Sequence, residues 1–257
     1  MAAAGSLTSS SIPATPRNVL ALRLAVAVFI LCVWEGLSRS GLFYGEVVPS
    51  LLAIVVSLGK LLIDPVFWRN LQVTMIETMA SLAIGAGIGI AVGIVLGANR
   101  FLMRAFEPVV YYLSPTPRII LFPVMIMWFG VGPGSKIALG ALSAFFAIAL
   151  STAAGMRQID PILIRVGRSF RANVWQMAFK IYLPAMRVPI LNGIRLGMGT
   201  AIITVLLGET KLSNQGLGYM IMQVYTRFDM PGLYALLILV FVIAGGVNAL
   251  IGHFARD

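Results

Sequence analysis

Few residues in this chain are of a type that does chemistry, and their placement narrows what that chemistry is. Glu77, Arg118 and Arg195 interrupt long apolar stretches. Ionisable groups inside a membrane relay protons or counter-charge an ion, which would suit a gradient-driven secondary transporter or a channel. All three nevertheless lie near enough to the ends of their stretches to snorkel, and no repeat relates the two halves of the chain. Hydrolytic chemistry has less material still. His253 is the single histidine, there is no H-E-x-x-H, and no serine has an evident basic partner. Cys32 is the single cysteine, so an intrachain disulfide and a cysteine-cluster metal site are both excluded. No catalytic residue and no metal-ligand set follow from the sequence. Two further groupings point to recognition instead: Arg165, Arg168 and Arg171 spaced by three, and Trp175 with Phe179 spaced by four, each on one face if the segment is helical.

The elements that must position these residues are membrane spans. Of 257 residues 59% are apolar and 11% charged, against about a quarter charged in soluble domains, and mean hydropathy is +0.95. At about 20 residues per crossing this is material for five to seven transmembrane helices and no sizeable soluble domain. The net charge of +10 fits retention beside anionic lipid headgroups, not nucleic acid. Spans are predicted at about 19–37, 71–98, 109–131, 137–156, 188–208 and 233–252. They form one transmembrane domain over 18–257, after a disordered tail at 1–17 rich in Ala, Ser, Thr and Pro. The first apolar run is long for a signal peptide and lacks a small-x-small cleavage site. Leu51 to Ile63 reaches only about 20 Å and reads as an interfacial helix. The segment 157–187, carrying Arg157, Arg165, Arg168, Arg171, Lys180 and Arg187, belongs in the cytoplasm by the positive-inside rule. Six crossings then place both termini there, together with Arg100 and Arg104.

Small residues recur every fourth position in the second span, at Ser81, Gly85, Gly89, Gly93 and Gly97, and Gly193 and Gly197 repeat the device in the fifth. Such faces let neighbouring backbones approach, so packing is the reading preferred over a substrate track. The third span is broken by Pro115, Pro117 and Pro123. Irregular backbone at membrane depth is tolerated only against protein or water, which makes Ser114, Pro115, Thr116 and Arg118 candidates for a translocation path, with Arg195 as a further charge. In the loop, Asn173 and Gln176 form a capping-box-like pair that starts a helix ending at Leu183-Pro184, with Trp175 and Phe179 displayed as an anchor for a partner protein.

Taken in order, these motifs resemble the permease subunit of a bacterial ATP-binding-cassette importer of the nitrate, sulfonate, taurine and bicarbonate group. The resemblance rests on Ile181-Tyr182-Leu183-Pro184, on Ser114 to Gly134 (SPTPRIILFPVMIMWFGVGPG) followed by Ser135-Lys136-Ile137, on Leu191 to Gly199 (LNGIRLGMG), and on Glu209 with Gly216-Leu217-Gly218-Tyr219. It implies an all-α, six-span inner-membrane fold with a cytoplasmic coupling helix. It also implies a second permease copy, identical or not, a pair of cytoplasmic ATPases that bind ATP and Mg, and an extracytoplasmic binding protein. That protein would meet the chain near 46–70 and 211–230. The docking set would be Arg165, Arg168, Arg171, Asn173, Trp175, Gln176, Phe179, Leu183 and Pro184, and the solute a small anion, with a heterocyclic vitamin precursor as the alternative. No G-x-x-x-x-G-K-[ST] loop is present, so ATP hydrolysis falls to a partner. Two departures stand out: Arg165-Val166-Gly167 replace the family's Glu-Ala-Ala, and Arg171 occupies its glycine. A left-handed turn at Arg171 would cost about 1–2 kcal/mol, so Asn173 is the alternative residue for it.

Overall fold

A computed structural model describes residues 16–42, 47–113 and 116–254, and among these the chain is helical with no strand. Most of the expected tail therefore lies outside the described residues, as do Ser114 and Pro115. The first helix, α1 (Pro16–Arg39), takes in the last two tail positions. Its central apolar window is 0% buried within the chain, so its flank belongs to lipid or to another subunit. Its C-terminal end is tied down. Trp34 Nε1 donates to the Pro49 carbonyl at 3.0 Å, and the Glu35 carboxylate, paired with Arg39 at 2.7 Å, accepts the Leu51 N–H at 3.0 Å. That N–H opens α2 (Leu51–Ile63), where a negative charge complements the helix dipole.

The Ser50 hydroxyl caps α2, and Asp64 ends it while capping α3 (Pro65–Ala98), whose first residue is a proline with no N–H to satisfy. These polar signals start α3 six residues before its apolar run, which explains the earlier boundary. The chain continues through α4 (Arg100–Leu113), a 3-10 turn (Arg118–Leu121), α5 (Phe122–Phe129), α6 (Pro133–Arg157), the loop helices α7 (Pro161–Ser169), α8 (Val174–Met177) and α9 (Leu183–Ala185), then α10 (Arg187–Leu212), α11 (Leu217–Thr226) and α12 (Met230–Phe254). Five helices, α1, α3, α6, α10 and α12, are long and apolar enough to cross a membrane. α2 lays Leu58 and Leu61 on the cluster of Phe67, Leu217, Leu236 and Leu239 and is too short to cross.

The small residues of α3 set the central seam. A Cβ on Gly85 would lie 2.7 Å from the Ala141 carbonyl oxygen, on Gly89 3.1 Å from Ile148 Cβ, and on Gly93 2.6 Å from Thr152 Cβ, while Gly97 abuts Met156. Ser81 continues the row, its hydroxyl 3.1 Å from the Ile137 carbonyl. Numbers rise together along both helices, so α3 and α6 run parallel. A parallel pair requires the intervening chain to return the full length of the bundle. α4 and α5, with 14 and 8 residues, supply roughly 33 Å of helix between them, a sixth crossing in broken form. α4 continues through Pro108, and the break falls after Leu113, where Pro117 precedes the 3-10 turn and Pro123 stands in the first turn of α5. On the other side of α6, Gly193 approaches Ser151 and Gly197 approaches Ile148, so α10 runs antiparallel to it.

Replacing Gly93 with alanine is expected to cost about 1–3 kcal/mol by overpacking against Thr152. Gly87→Ala, on the same helix with nothing within 4 Å, should be neutral or stabilising. Thermal unfolding of the two purified variants checks this, and equal midpoints would contradict the seam.

Candidate functional site

One end of the bundle carries the basic loop. α7 (Pro161–Ser169) starts on Asp160, whose carboxylate accepts the Ile162 N–H at 2.8 Å. It ends in a Schellman turn: the Ala172 N–H reaches the Gly167 carbonyl at 3.0 Å and the Arg171 N–H reaches the Arg168 carbonyl at 2.9 Å. The residue that must be left-handed is Arg171, at φ 51°, so the turn is not moved to Asn173 as the sequence alternative had it. Asn173 is extended, at φ −72°, because it is occupied as a cap. Its side chain accepts the Gln176 N–H at 2.8 Å while the Gln176 side chain accepts the Asn173 N–H at 2.9 Å. The basic stripe is correspondingly broken. Arg165 and Arg168 are exposed on α7, whereas Arg171 lies beyond its end.

α8 (Val174–Met177) holds Trp175, which stacks on Phe179 with ring centroids 6.1 Å apart and planes at 16°. Trp175 is 73% exposed and Phe179 62%, and Phe170 and Val174 beside them are more exposed still. The pair projects away from the bundle, and Phe170 and Val174 enlarge a patch that the sequence reading limited to two rings. The buried side explains the projection: Met177 faces inward, and Gly167 sits against Met177 and Ile181 with no room for a Cβ. A π-helical turn (Ala178–Tyr182) follows, then α9 (Leu183–Ala185). Leu183-Pro184 therefore does not end the helix. Proline is accommodated in the first turn of α9, and the break falls at Met186, with φ −102° and ψ 14°. Leu183 packs inward on the cluster of Met156, Met186 and Ile190, and Pro184 is exposed.

The path candidates have separate surroundings. Thr116 is exposed and its hydroxyl donates to the Tyr112 carbonyl at 3.2 Å. Arg118 is half-buried with its guanidinium 5.0 Å from the centroid of the Phe146 ring on α6. Arg195 is exposed, and its Nε donates to Asn248 Oδ1 at 3.0 Å, tying α10 to α12.

At the opposite end lies a polar cluster that sequence reasoning missed as a unit. Glu77 does not snorkel: it is 1% exposed and forms an ion pair of 2.6 Å with Lys136, itself 3% exposed. Lys136 Nζ also donates to Ser213 Oγ at 3.0 Å. One and two turns before Glu77, Thr74 and Asn70 share its helix face. Thr74 donates to Glu209 Oε1 at 2.7 Å and accepts the Leu217 N–H at 2.8 Å. Asn70 Oδ1 accepts the Gly216 N–H at 2.7 Å, and Glu209 Oε2 accepts that of Gly218 at 2.7 Å. Three consecutive backbone donors at the start of α11 are thus held by side chains of α3 and α10, which satisfies groups that a helix cannot satisfy itself. A cavity of about 530 Å³ opens beside the ion pair, with Lys211, Ser213, Asn214 and Gln215 on its wall. The signal in the sequence was the 70, 74, 77 spacing of polar residues inside an apolar helix.

Comparison with known proteins adds four likenesses. The family described as binding-protein-dependent transport system inner membrane component matches residues 83–257. A Bacillus subtilis (strain 168) permease named for aliphatic sulfonates transport is 32% identical over 77% of this chain and 72% of its own length. The taurine transport system permease protein of Escherichia coli (strain K12) is 29% identical over 80% of this chain and 75% of its own. Among solved structures, an inward-facing MetNI methionine ABC transporter superposes with a TM-score of 0.66 at 22% identity, over 74% of this chain and 95% of the other, which is a likeness of fold.

Three variants probe the two ends. Glu77→Ala leaves the Lys136 ammonium buried without its counter-ion and is expected to cost about 3–5 kcal/mol. The double variant Glu77→Leu/Lys136→Met should regain most of that in thermal unfolding. Arg171→Gly removes the left-handed penalty and should stabilise the turn by about 1 kcal/mol, read as slower proteolysis of the loop. An unchanged cleavage rate would show that the turn carries no strain.

Proposed function

We propose, because this chain belongs to the family of binding-protein-dependent transport system inner membrane components, that it forms half of a paired translocation path for a small anionic solute of the sulfonate or taurine type. As a permease subunit of an ABC importer it is a multi-pass inner-membrane protein that works with an ATPase and a substrate-binding protein. The family favours this reading over a gradient-driven secondary transporter or channel. The solute class is supported by the names of the two relatives and by the cationic character of Arg118 and Arg195, each on a helix of the bundle. Nitrate and bicarbonate belong to the same chemical range. Ser114, Pro115 and Thr116 accompany Arg118 in the proposed path.

The observation that carries the mechanism is the exposed, stacked Trp175–Phe179 pair on a helix whose start is fixed by a capping box. Truncating buried aromatic anchors in protein interfaces costs 2 kcal/mol or more each, about thirtyfold in affinity. We take this patch, with Phe170 and Val174, as the surface that fills a groove on a cytoplasmic ATPase. Arg165, Arg168 and Arg171, all exposed in the same loop, suit an acidic rim on that partner. Gln176 and Asn173 fix its geometry, and Leu183 and Pro184 join it to the bundle. The chain itself hydrolyses nothing. ATP and Mg are bound by the ATPase pair, whose closure moves two permease copies, identical or different, between inward-facing and outward-facing states. The basic end faces the cytoplasm, with both termini, and the 46–70 and 211–230 end receives the binding protein.

Reconstitution in lipid vesicles with the ATPase and binding protein encoded beside it tests this directly. Solute-stimulated ATP hydrolysis should depend on the chain and fall at least tenfold in the Trp175→Ala/Phe179→Ala variant. Sulfonate or taurine should stimulate it and a neutral sugar should not. Hydrolysis that ignores the double substitution would sink the docking assignment, and stimulation by a heterocycle alone would sink the solute class.

A further inference from the structure

A second cavity, of about 720 Å³, lies at the basic end between the end of α3, the start of α4, the end of α6 and α7. Four arginines line it, Arg100, Arg104, Arg157 and Arg168, one or two from each of three helices. Among the described residues, no Asp or Glu lines it. The nearby Asp160 is engaged with the Ile162 N–H. Arg157 and Arg168 sit in the last turns of their helices, where a cation complements the dipole. Arg100 and Arg104 do the reverse. They occupy the first two turns of α4, one helical turn apart on the same face, where positive charge is repelled. Like charges gathered at an unfavourable helix end make the cavity attractive to an anion.

The floor states what kind of anion. Met103, Met156 and Ile159 are each less than a tenth exposed and form an apolar base under the charged rim. The volume would hold on the order of twenty waters, far more than one inorganic phosphate fills. Guanidinium forks match phosphate oxygens in pairs. The cavity sits where α3 and α6 finish their crossing, the depth of the headgroup layer, and the basic end is the one drawn to anionic lipid. We infer that this cavity binds the phosphate of an anionic phospholipid, with the glycerol and upper acyl atoms against the methionine floor.

The full chain, purified in a neutral detergent, serves for the test, with retained lipid counted by native mass spectrometry after addition of phosphatidylglycerol or phosphatidylcholine. Wild type should retain phosphatidylglycerol at least tenfold better. Arg100→Gln/Arg104→Gln should lower that retention at least fivefold, while the same charge loss at the other end, Arg69→Gln/Arg227→Gln, should leave the tightest-bound lipid in place. Ile164→Trp fills the cavity with all four charges intact and should also lose the lipid, which covers the case of a double variant that fails to fold. Retention equal in all chains overturns the site. Displacement of phosphatidylglycerol by millimolar inorganic phosphate assigns the arginines to a free anion and overturns the lipid. Loss of ATPase co-purification in Arg100→Gln/Arg104→Gln with lipid retention unchanged makes the arginines a docking surface, and overturns it too.

Discussion

The fold depends on how closely α3 and α6 approach. With the seam residues at 85, 89, 93 and 97 lacking a Cβ, backbone atoms of one helix meet side-chain stems of the other at distances a methyl group would not allow. In lipid there is no hydrophobic drive for helices to associate, so van der Waals contact along such a seam is the main source of cohesion. The parallel direction of the pair then dictates the rest. The chain must travel back between them, and it does so through a proline-broken segment that packs on α6 from the side, through the cluster of Phe122, Met125 and Leu139. α10 takes the remaining face of α6, burying Ala201 against Ala144 and Ile148.

Given that packing, charge can be placed where composition alone would forbid it. The Glu77–Lys136 pair sits between helices already fixed by close contact, so neither charge has to order its own surroundings, and the Ser213 hydroxyl takes part of the remaining hydrogen-bonding capacity of Lys136. The same arrangement lets Glu209 and Asn70 reach the start of α11. α11 is only 10 residues long, and a helix of that length is marginal by itself. Its position comes from the three side chains that take its first N–H groups.

Much of this architecture was legible in the sequence. Hydropathy pointed to the five long apolar helices, while the expected 109–131 span is divided among α4, the 3-10 turn and α5; the Leu51 to Ile63 helix was too short to cross, and the Asn173–Gln176 spacing announced a cap. Boundaries were less legible, because polar first turns such as Asp64 to Asn70 extend helices past their apolar runs. The Glu77 assignment failed for a definite reason. One-dimensional distance to a span end says nothing about a counter-ion 59 residues away, and Lys136 looked like a loop residue until α6 was seen to begin at Pro133. Arg171 failed in the opposite sense. Intrinsic preference favoured Asn173 for the left-handed position, but the capping box needed that asparagine extended, and the two hydrogen bonds of the Schellman turn fixed which residue had to yield.

From Val174 to Leu212 the helical backbone is interrupted only at Met186, which is completely enclosed. The exposed rings at one end and Glu209 at the other therefore sit on two helical stretches joined at one enclosed residue, and the second stretch, α10, lies along α6. Two binding events that bias the same arrangement of such joined stretches are thermodynamically linked, and linkage is reciprocal. If gripping Trp175 favours one setting of the joint at Met186 that α10 transmits, a ligand or protein at the far end feels an equal change in its own affinity. Signal and response are then interchangeable, and neither end is the master of the other.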